Sequence, residues 1–184
     1  MFIDDTKIFY QEDFLSEQEL AYFYDVLSAS QDKLDSFLNS DSNDEASYST
    51  SENRDILVYP DREVKPIFDN IRIRVKDLIL DKFNNGVDDF SLNPIRNVHA
   101  LYPPIYLQEH YDGHVNGIMY GVVLYLSDPS EYTGGELFYT KLNKTLSPAK
   151  GSIIIHPGDE EYSHTVKTVK SGLRLNVSLF AVPK

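Results

Sequence analysis

From Ile95 to the C-terminus the chain is a succession of short apolar-rich segments, each stopped by Gly or Pro. The runs 95–102, 105–111, 118–126, 136–140, 152–156, 164–169 and 173–181 are punctuated by Gly134-Gly135, by Pro148 with Gly151, by Pro157-Gly158 and by Ser171-Gly172. This pattern predicts short strands joined by turns, which close most readily as a jelly-roll pair of sheets. The last run constrains the fold further. Leu173, Leu175, Val177 and Leu179 alternate with Arg174, Asn176, Ser178 and Phe180. If helices cover the outer face of that sheet, the aliphatic set meets the helices and Arg174 turns into the cavity. A buried Arg needs an anion.

Two stretches before residue 90 can supply the cover. Ser16 and Glu19 form a capping box, and Leu15 can staple to Leu20. Leu20, Phe23, Tyr24 and Leu27 follow at helical spacing. A second helix is predicted over 63–83, with Val64, Ile67, Phe68, Ile71, Val75, Leu78 and Ile79 on one side, Pro66 in its first turn, and Asn84-Asn85-Gly86 at its end. Residues 1–15 read as a short strand and turn, with Ile8, Tyr10 and Phe14 packing inward. The stretch 39–53 has little to bury and reads as a mobile loop, with a substrate lid as the alternative. Ile56 to Tyr59 suggest a strand. The expected fold class is α+β: one domain over 1–184, with 1–90 mainly helical support on one sheet and 95–184 the jelly-roll core.

Composition narrows the function. The 184 residues contain no cysteine, which excludes disulfides, thiolate-held zinc, iron–sulfur clusters and thiol nucleophiles. The net charge of -12, from 29 acidic and 17 basic side chains, repels phosphate backbones, so no nucleic-acid partner is expected. No apolar run is long enough to span a membrane. Met1 to Asp5 lack the flanks of a signal peptide, and a cytoplasmic protein is expected. A peptide or a small molecule is the partner such a surface accommodates.

The chemistry-bearing residues lie within the strand-rich half. In an extended segment, side chains two apart share a face. His110 and Asp112 would then point together, with Tyr111 away. One more ligand, His164, completes two imidazoles and one carboxylate on one side of an ion. That set leaves positions open, as in the non-haem Fe(II) oxygenases. Arg174, ten residues on, could hold the carboxylate of an organic-acid cosubstrate by a two-pronged bond. Tyr125 shares a face with Val123 and Gly121; its hydroxyl could assist Arg174, while Gly121 makes room. Tyr102 is a comparable candidate. His114 would lie about 13 Å from His110 in an extended segment, at ~3.3 Å per residue, and is left out of the ligand set. His99 and His156 read as structural or surface residues.

The order of these features resembles the Fe(II)/2-oxoglutarate-dependent oxygenases of the prolyl 4-hydroxylase type. The resemblance runs from Ile95 to the C-terminus: His110-x-Asp112, Tyr125-Leu126-Ser127, Gly134-Gly135-Glu136-Leu137 with Phe138-Tyr139 behind it, Pro148-x-x-Gly151, and His164-x-Val166-x-x-Val169-x-x-Gly172-x-Arg174. Ser127 stands where the family often has Asn, and Ile118 and Gly121 where it often has Arg and Thr. The resemblance implies a double-stranded β-helix. It assigns His110, Asp112 and His164 to Fe(II), Arg174 to the distal carboxylate of 2-oxoglutarate, and Tyr125 and Tyr102 to the same carboxylate. O₂ would be the oxidant, with ascorbate a further cofactor. The implied reaction hydroxylates an unactivated C–H bond, first of all that of peptidyl proline, with succinate and CO₂ as coproducts. Free amino acids and other small molecules are alternative substrates. Two other classes compete. A zinc hydrolase would leave Arg174 without a task and lacks His-Glu-x-x-His. A non-catalytic β-sandwich binding module would make the four placements coincidence.

Overall fold

Ser16 opens the first helix as the sequence predicts. Its Oγ accepts from the Glu19 N–H at 3.2 Å, and the Glu19 carboxylate accepts from the Ser16 N–H at 2.8 Å. Helix α1 (Glu17–Ser28) then buries Leu20, Phe23 and Leu27, and α2 (Lys65–Phe83) buries Phe68, Ile71, Val75, Ile79 and Phe83. Both sets follow the three-to-four spacing of one helix face. Phe23 stacks on Phe68 at 4.8 Å between ring centroids. Arg74 of α2 donates to the Phe14 carbonyl at 3.0 Å and to Glu19 at 2.6 Å, which fixes the two helices to each other. Arg72 donates to the Leu92 carbonyl at 2.6 Å and so ties α2 to the sheet.

The computed structural model describes residues 1–32, 35, 47–48, 55–57, 65–83, 90–114 and 117–184. In chain order the strands are β1 (Phe9–Gln11), β2 (Ser47–Tyr48), β3 (Asp55–Leu57), β4 (Phe90–Leu92), β5 (Asn97–Leu101), β6 (Ile105–His110), β7 (Tyr120–Tyr125), β8 (Tyr132–Gly134), β9 (Leu137–Tyr139), β10 (Lys144–Leu146), β11 (Ile153–Pro157), β12 (His164–Val166), β13 (Val169–Gly172) and β14 (Arg174–Pro183). The large sheet runs β1-β11-β7-β14-β5-β3, with β4 also on β14. The small sheet runs β10-β9-β12-β6-β2, and β13-β8 form a ribbon. These two sheets, with helices on one side, make the jelly-roll core expected for the chain.

The helices cover the outer face of the large sheet. Phe83 of α2 packs against Tyr120 of β7 at 4.9 Å, and Tyr24 of α1 donates to the Leu126 carbonyl at 2.6 Å. Along β14, Leu175, Val177, Leu179 and Ala181 join one continuous core with the helices. Arg174, Asn176, Ser178 and Phe180 line a cavity on the opposite face. The alternation of the last strand is therefore resolved in favour of an inward Arg.

Three details differ from the sequence reading. The run 164–169 is two strands, β12 and β13, which belong to different sheets. The three-residue strands β4, β8 and β10 are too short to show a period. Within 39–53, read as a mobile loop, Ser47 and Tyr48 pair in parallel with Ile105 and Tyr106. The remainder of that loop, Val58-Tyr59, Val64 and Asn84 to Gly86 lie outside the described residues. Among the described residues no helix is long and apolar enough to cross a membrane.

Candidate active site

The cavity between the sheets has a volume of about 280 Å³. One end is lined by His110, Asp112, His156 and His164, the other by Tyr125, Arg174 and Asn176. Leu107, Leu137, Val166 and Phe180 add apolar walls.

His110 and His164 face each other across the β6–β12 ladder, as direct antiparallel partners. That register brings residues 54 positions apart in sequence to ring centroids 4.4 Å apart. Leu107 and His110 both line the cavity although strict alternation would separate them. The ladder steps from His164 to Val166 on one strand while it steps from His110 to Leu107 on the other. One extra residue in β6 thus forms a bulge that re-aims His110 inward.

Asp112 arrives differently from the extended arrangement read in the sequence. β6 ends at His110, and Asp112 opens a 3₁₀ turn, Asp112–His114. The turn is pinned by the Gly113 N–H, which donates to the Gly158 carbonyl at 2.7 Å. A Cβ on Gly113 would lie 2.5 Å from that oxygen, so the close approach demands glycine. The carboxylate still reaches His110, with Oδ1 at 3.6 Å from Nε2. His114 stays outside the set for a reason other than strand length. Its Nδ1 is bound to the Tyr111 carbonyl within the turn, and its ring lies 6.5 Å from that of His110.

The ligand atoms of His110, Asp112 and His164 all lie within 4.8 Å of one another. His110 Nδ1 faces the Gln108 carbonyl at 2.9 Å and His164 Nδ1 the Tyr162 carbonyl at 3.0 Å. A carbonyl only accepts, so the hydrogen sits on Nδ1 and each Nε2 keeps its lone pair for an ion. Burial, with the neighbouring His156 next, pushes His164 down to about 3, which keeps the imidazole neutral at pH 7. Burial opposes ionisation of Asp112, but the proximity of His110 and of the surrounding imidazoles outweighs it and holds the carboxyl at about 2. Two imidazoles and a carboxylate on one side of a small volume fit an Fe(II) centre with open positions.

At the other end Arg174 is 2% exposed. Its Nη1 donates to Asn176 Oδ1 at 2.5 Å, its Nη2 reaches the Tyr125 hydroxyl at 3.5 Å, and its carbon lies 5.2 Å from the Tyr125 ring centroid. Among the described residues its Nε has no hydrogen-bond partner, and no carboxylate pairs with the guanidinium. Burial raises Tyr125 to about 12, so its hydroxyl keeps its proton and can donate. This end fits the far carboxylate of a diacid such as 2-oxoglutarate. Gly135, in the Gly-Gly-Glu motif, lies against the Arg174 stem; a Cβ there would come within 3.0 Å of Cδ.

Two sequence readings change here. Tyr102 is buried but does not line the cavity. Asn97, His99 and Leu101 of β5 face the cavity, so alternation sends Tyr102 to the side of Val98 and Ala100. His156 and His99, read as structural or surface residues, both line the cavity, and His156 is only 1% exposed. Its position after Ile153-Ile154-Ile155, at the end of a buried strand, was the signal available. Asn176, which had no assigned role, is the direct partner of Arg174. Ser127 accepts from the Leu175 N–H at 2.8 Å, which locks the strand that carries Arg174.

Residues 98–181 match the sequence model of the 2OG-Fe(II) oxygenase superfamily. That segment contains the cavity-lining residues named above, Asn97 apart. A PKHD-type hydroxylase of Crocosphaera subtropica is 34% identical over 100 residues, covering 45% of this chain and 42% of that protein. The chain therefore spans less than half the length of this curated relative. Among solved structures, the viral collagen prolyl hydroxylase of Paramecium Bursaria Chlorella virus-1, in its 2OG complex, superimposes with a TM-score of 0.72 at 18% identity over 98% of each chain. A prolyl hydroxylase of Trichoplax adhaerens, in complex with a hypoxia inducible factor peptide fragment, gives 0.64 at 15% identity, over 98% of this chain and 85% of that one. The chain resembles the 2OG-Fe(II) oxygenases in sequence and the prolyl hydroxylases in fold.

Proposed function

We propose that residues 1–184 form one oxygenase domain that uses Fe(II), 2-oxoglutarate and O₂ to hydroxylate an unactivated C–H bond of a peptide, most specifically a prolyl residue. His110, Asp112 and His164 hold the iron. Arg174, supported by Asn176 and Tyr125, receives the distal carboxylate of 2-oxoglutarate. When bound, iron and 2-oxoglutarate together supply the oxidising power, with succinate and CO₂ as coproducts. The protein contributes alignment and exclusion of water. Tyr125, protonated at neutral pH, donates toward the diacid. The walls of Leu107, Leu137, Val166 and Phe180 keep the space between the two ends apolar, which strengthens the charge-assisted bonds at each end.

One observation carries this reading: a buried Arg without a carboxylate partner among the described residues shares a cavity with a two-His, one-Asp cluster whose Asp112 and His164 are buried. A metal hydrolase has no need of such a cation. The choice of peptide rests on the likeness to prolyl hydroxylases, one of them solved with a peptide. A cytoplasmic setting belongs to the same proposal, supported by the absence of cysteine.

The test is mass spectrometry of proline-containing peptides, and in parallel of free amino acids, after incubation with Fe(II), 2-oxoglutarate and O₂. A peptide heavier by one oxygen atom, with fragments that place it on proline, is the expected product. Oxygen on a free amino acid alone would overturn the peptide assignment. Absence of 2-oxoglutarate turnover with every substrate and with none would overturn the reaction class.

A further inference from the structure

Arg174 meets a neutral acceptor at a position where an acidic one would fit. Asn176 lies two residues on along β14 and lines the cavity beside it. Its ladder partners are Tyr125 of β7 and His99 of β5. It is 5% exposed, and a buried amide needs partners for both of its ends. A guanidinium only donates, so the 2.5 Å contact with Arg174 Nη1 fixes the amide with Oδ1 toward Arg174. Nδ2 then faces the Ser178 hydroxyl at 3.5 Å.

An aspartate has nearly the shape of an asparagine. At residue 176 one carboxylate oxygen would accept from Arg174 Nη1, and the other from the Ser178 hydroxyl, which can turn its hydrogen. That buried ion pair would satisfy the cation within the protein. The chain does the opposite. Among the described residues no carboxylate pairs with the guanidinium, and its side-chain partners, Asn176 and Tyr125, are both neutral. The stem of Arg174 is packed by uncharged groups as well: a Cβ at Gly135 would lie 3.0 Å from its Cδ and 3.2 Å from the Tyr132 ring.

We infer that Asn176 is a positioning residue that holds Arg174 without neutralising it: the amide anchors Nη1, and the positive charge stays available to the distal carboxylate of the diacid. A cation in a cavity with apolar walls attracts a carboxylate more strongly than it does in water, and compensation from within would remove that advantage. The amide at residue 176 thus sets the preference of the site for a cosubstrate with a second carboxylate. The inference rests on the proposed assignment of Arg174 to 2-oxoglutarate.

The experiment is calorimetric titration of two acids into the full chain loaded with Mn(II). One is 2-oxoglutarate, and the other is 2-oxopentanoate, which has a methyl group in place of the distal carboxylate. The melting temperature of the metal-free protein is measured alongside. Asn176→Asp should weaken 2-oxoglutarate binding by about 30-fold or more, with 2-oxopentanoate binding close to that of wild type and a melting temperature no lower. Asn176→Ala, which removes the anchor but adds no charge, should lose about tenfold for 2-oxoglutarate. A merely structural role would reverse that order, since Asp keeps the size and the hydrogen bond that Ala lacks. If Asn176→Asp does not fold, Asn176→Gln and Asn176→Glu repeat the comparison, with the acidic variant expected to be the weaker binder of the diacid. Diacid affinity of the acidic variant within about threefold of its neutral counterpart, or a smaller loss in Asn176→Asp than in Asn176→Ala, would overturn the inference. Failure of wild type itself to prefer 2-oxoglutarate over 2-oxopentanoate would instead overturn the assignment of Arg174.

Discussion

The two ends of the cavity are made by different means. The Arg174 end is a product of regular structure. β14 alternates without interruption, and one parity of its residues meets the helices while the other faces the cavity. The end with the proposed metal ligands is a product of irregular structure. A bulge in β6 turns His110 inward, a 3₁₀ turn delivers Asp112, and glycines at 113 and 121 permit the close approaches. A guanidinium on a long stem tolerates a simple scaffold. Three short side chains that must share one ion do not, and the backbone has to move to them.

This contrast can be broken at either end. The largest effect is expected for Asp112→Ala or His110→Ala: metal binding and 2-oxoglutarate turnover are lost, while far-ultraviolet circular dichroism stays that of wild type. Succinate release at the wild-type rate from either variant would contradict the ligand set. Next is Arg174→Ala, which removes one partner of a buried charge-assisted pair. It should weaken 2-oxoglutarate binding by about 2–5 kcal/mol, roughly 30-fold or more, and leave metal affinity unchanged. An unaltered apparent affinity for the diacid would remove Arg174 from its role.

Acid should act on the end that holds His164. The folded pKa of His164 is about 3, below its usual unfolded value near 6.5. Between these values the unfolded chain binds more protons, so stability falls as pH falls. Burial lowers His156 as well, which adds in the same direction. Asp112, depressed to about 2, contributes only below its unfolded value of about 3.8. For His164 alone, urea unfolding of the metal-free protein should show a loss of about 2 kcal/mol from pH 6.5 to 5, at about 1.4 kcal/mol per unit. A flat profile over that range would contradict a buried neutral imidazole. The smallest effect is expected for Gly121→Ala, whose methyl group must displace the Asp112 carboxylate. About a tenfold loss of metal affinity is expected by titration, with 2-oxoglutarate contacts at Arg174 retained.

What the sequence revealed follows the same division. Periodicity located both helices and the inward parity of β14, because each repeats one rule over several residues. The proposed ligand residues stand out by type and order, but the path of the chain between them does not. An extra residue in β6 leaves no mark in a six-residue strand, and a 3₁₀ turn at Asp112 looks like a continued strand until Gly113 meets Gly158. Tyr102 was assigned to the cavity by type alone, and the parity of β5 places it on the other face. Of the two readings of His156, structural or surface, burial removes the second, because the small sheet folds over a histidine that after three isoleucines looks like a strand end.

The central claim is that one molecule of diacid bridges the two ends. Calorimetric titration of 2-oxoglutarate into the wild-type chain, with redox-inert Mn(II) in place of iron and then without metal, tests it directly. One binding site per chain is expected, with affinity that falls when the metal is withheld and falls again when Arg174 is replaced. Binding of equal strength with and without metal would contradict it.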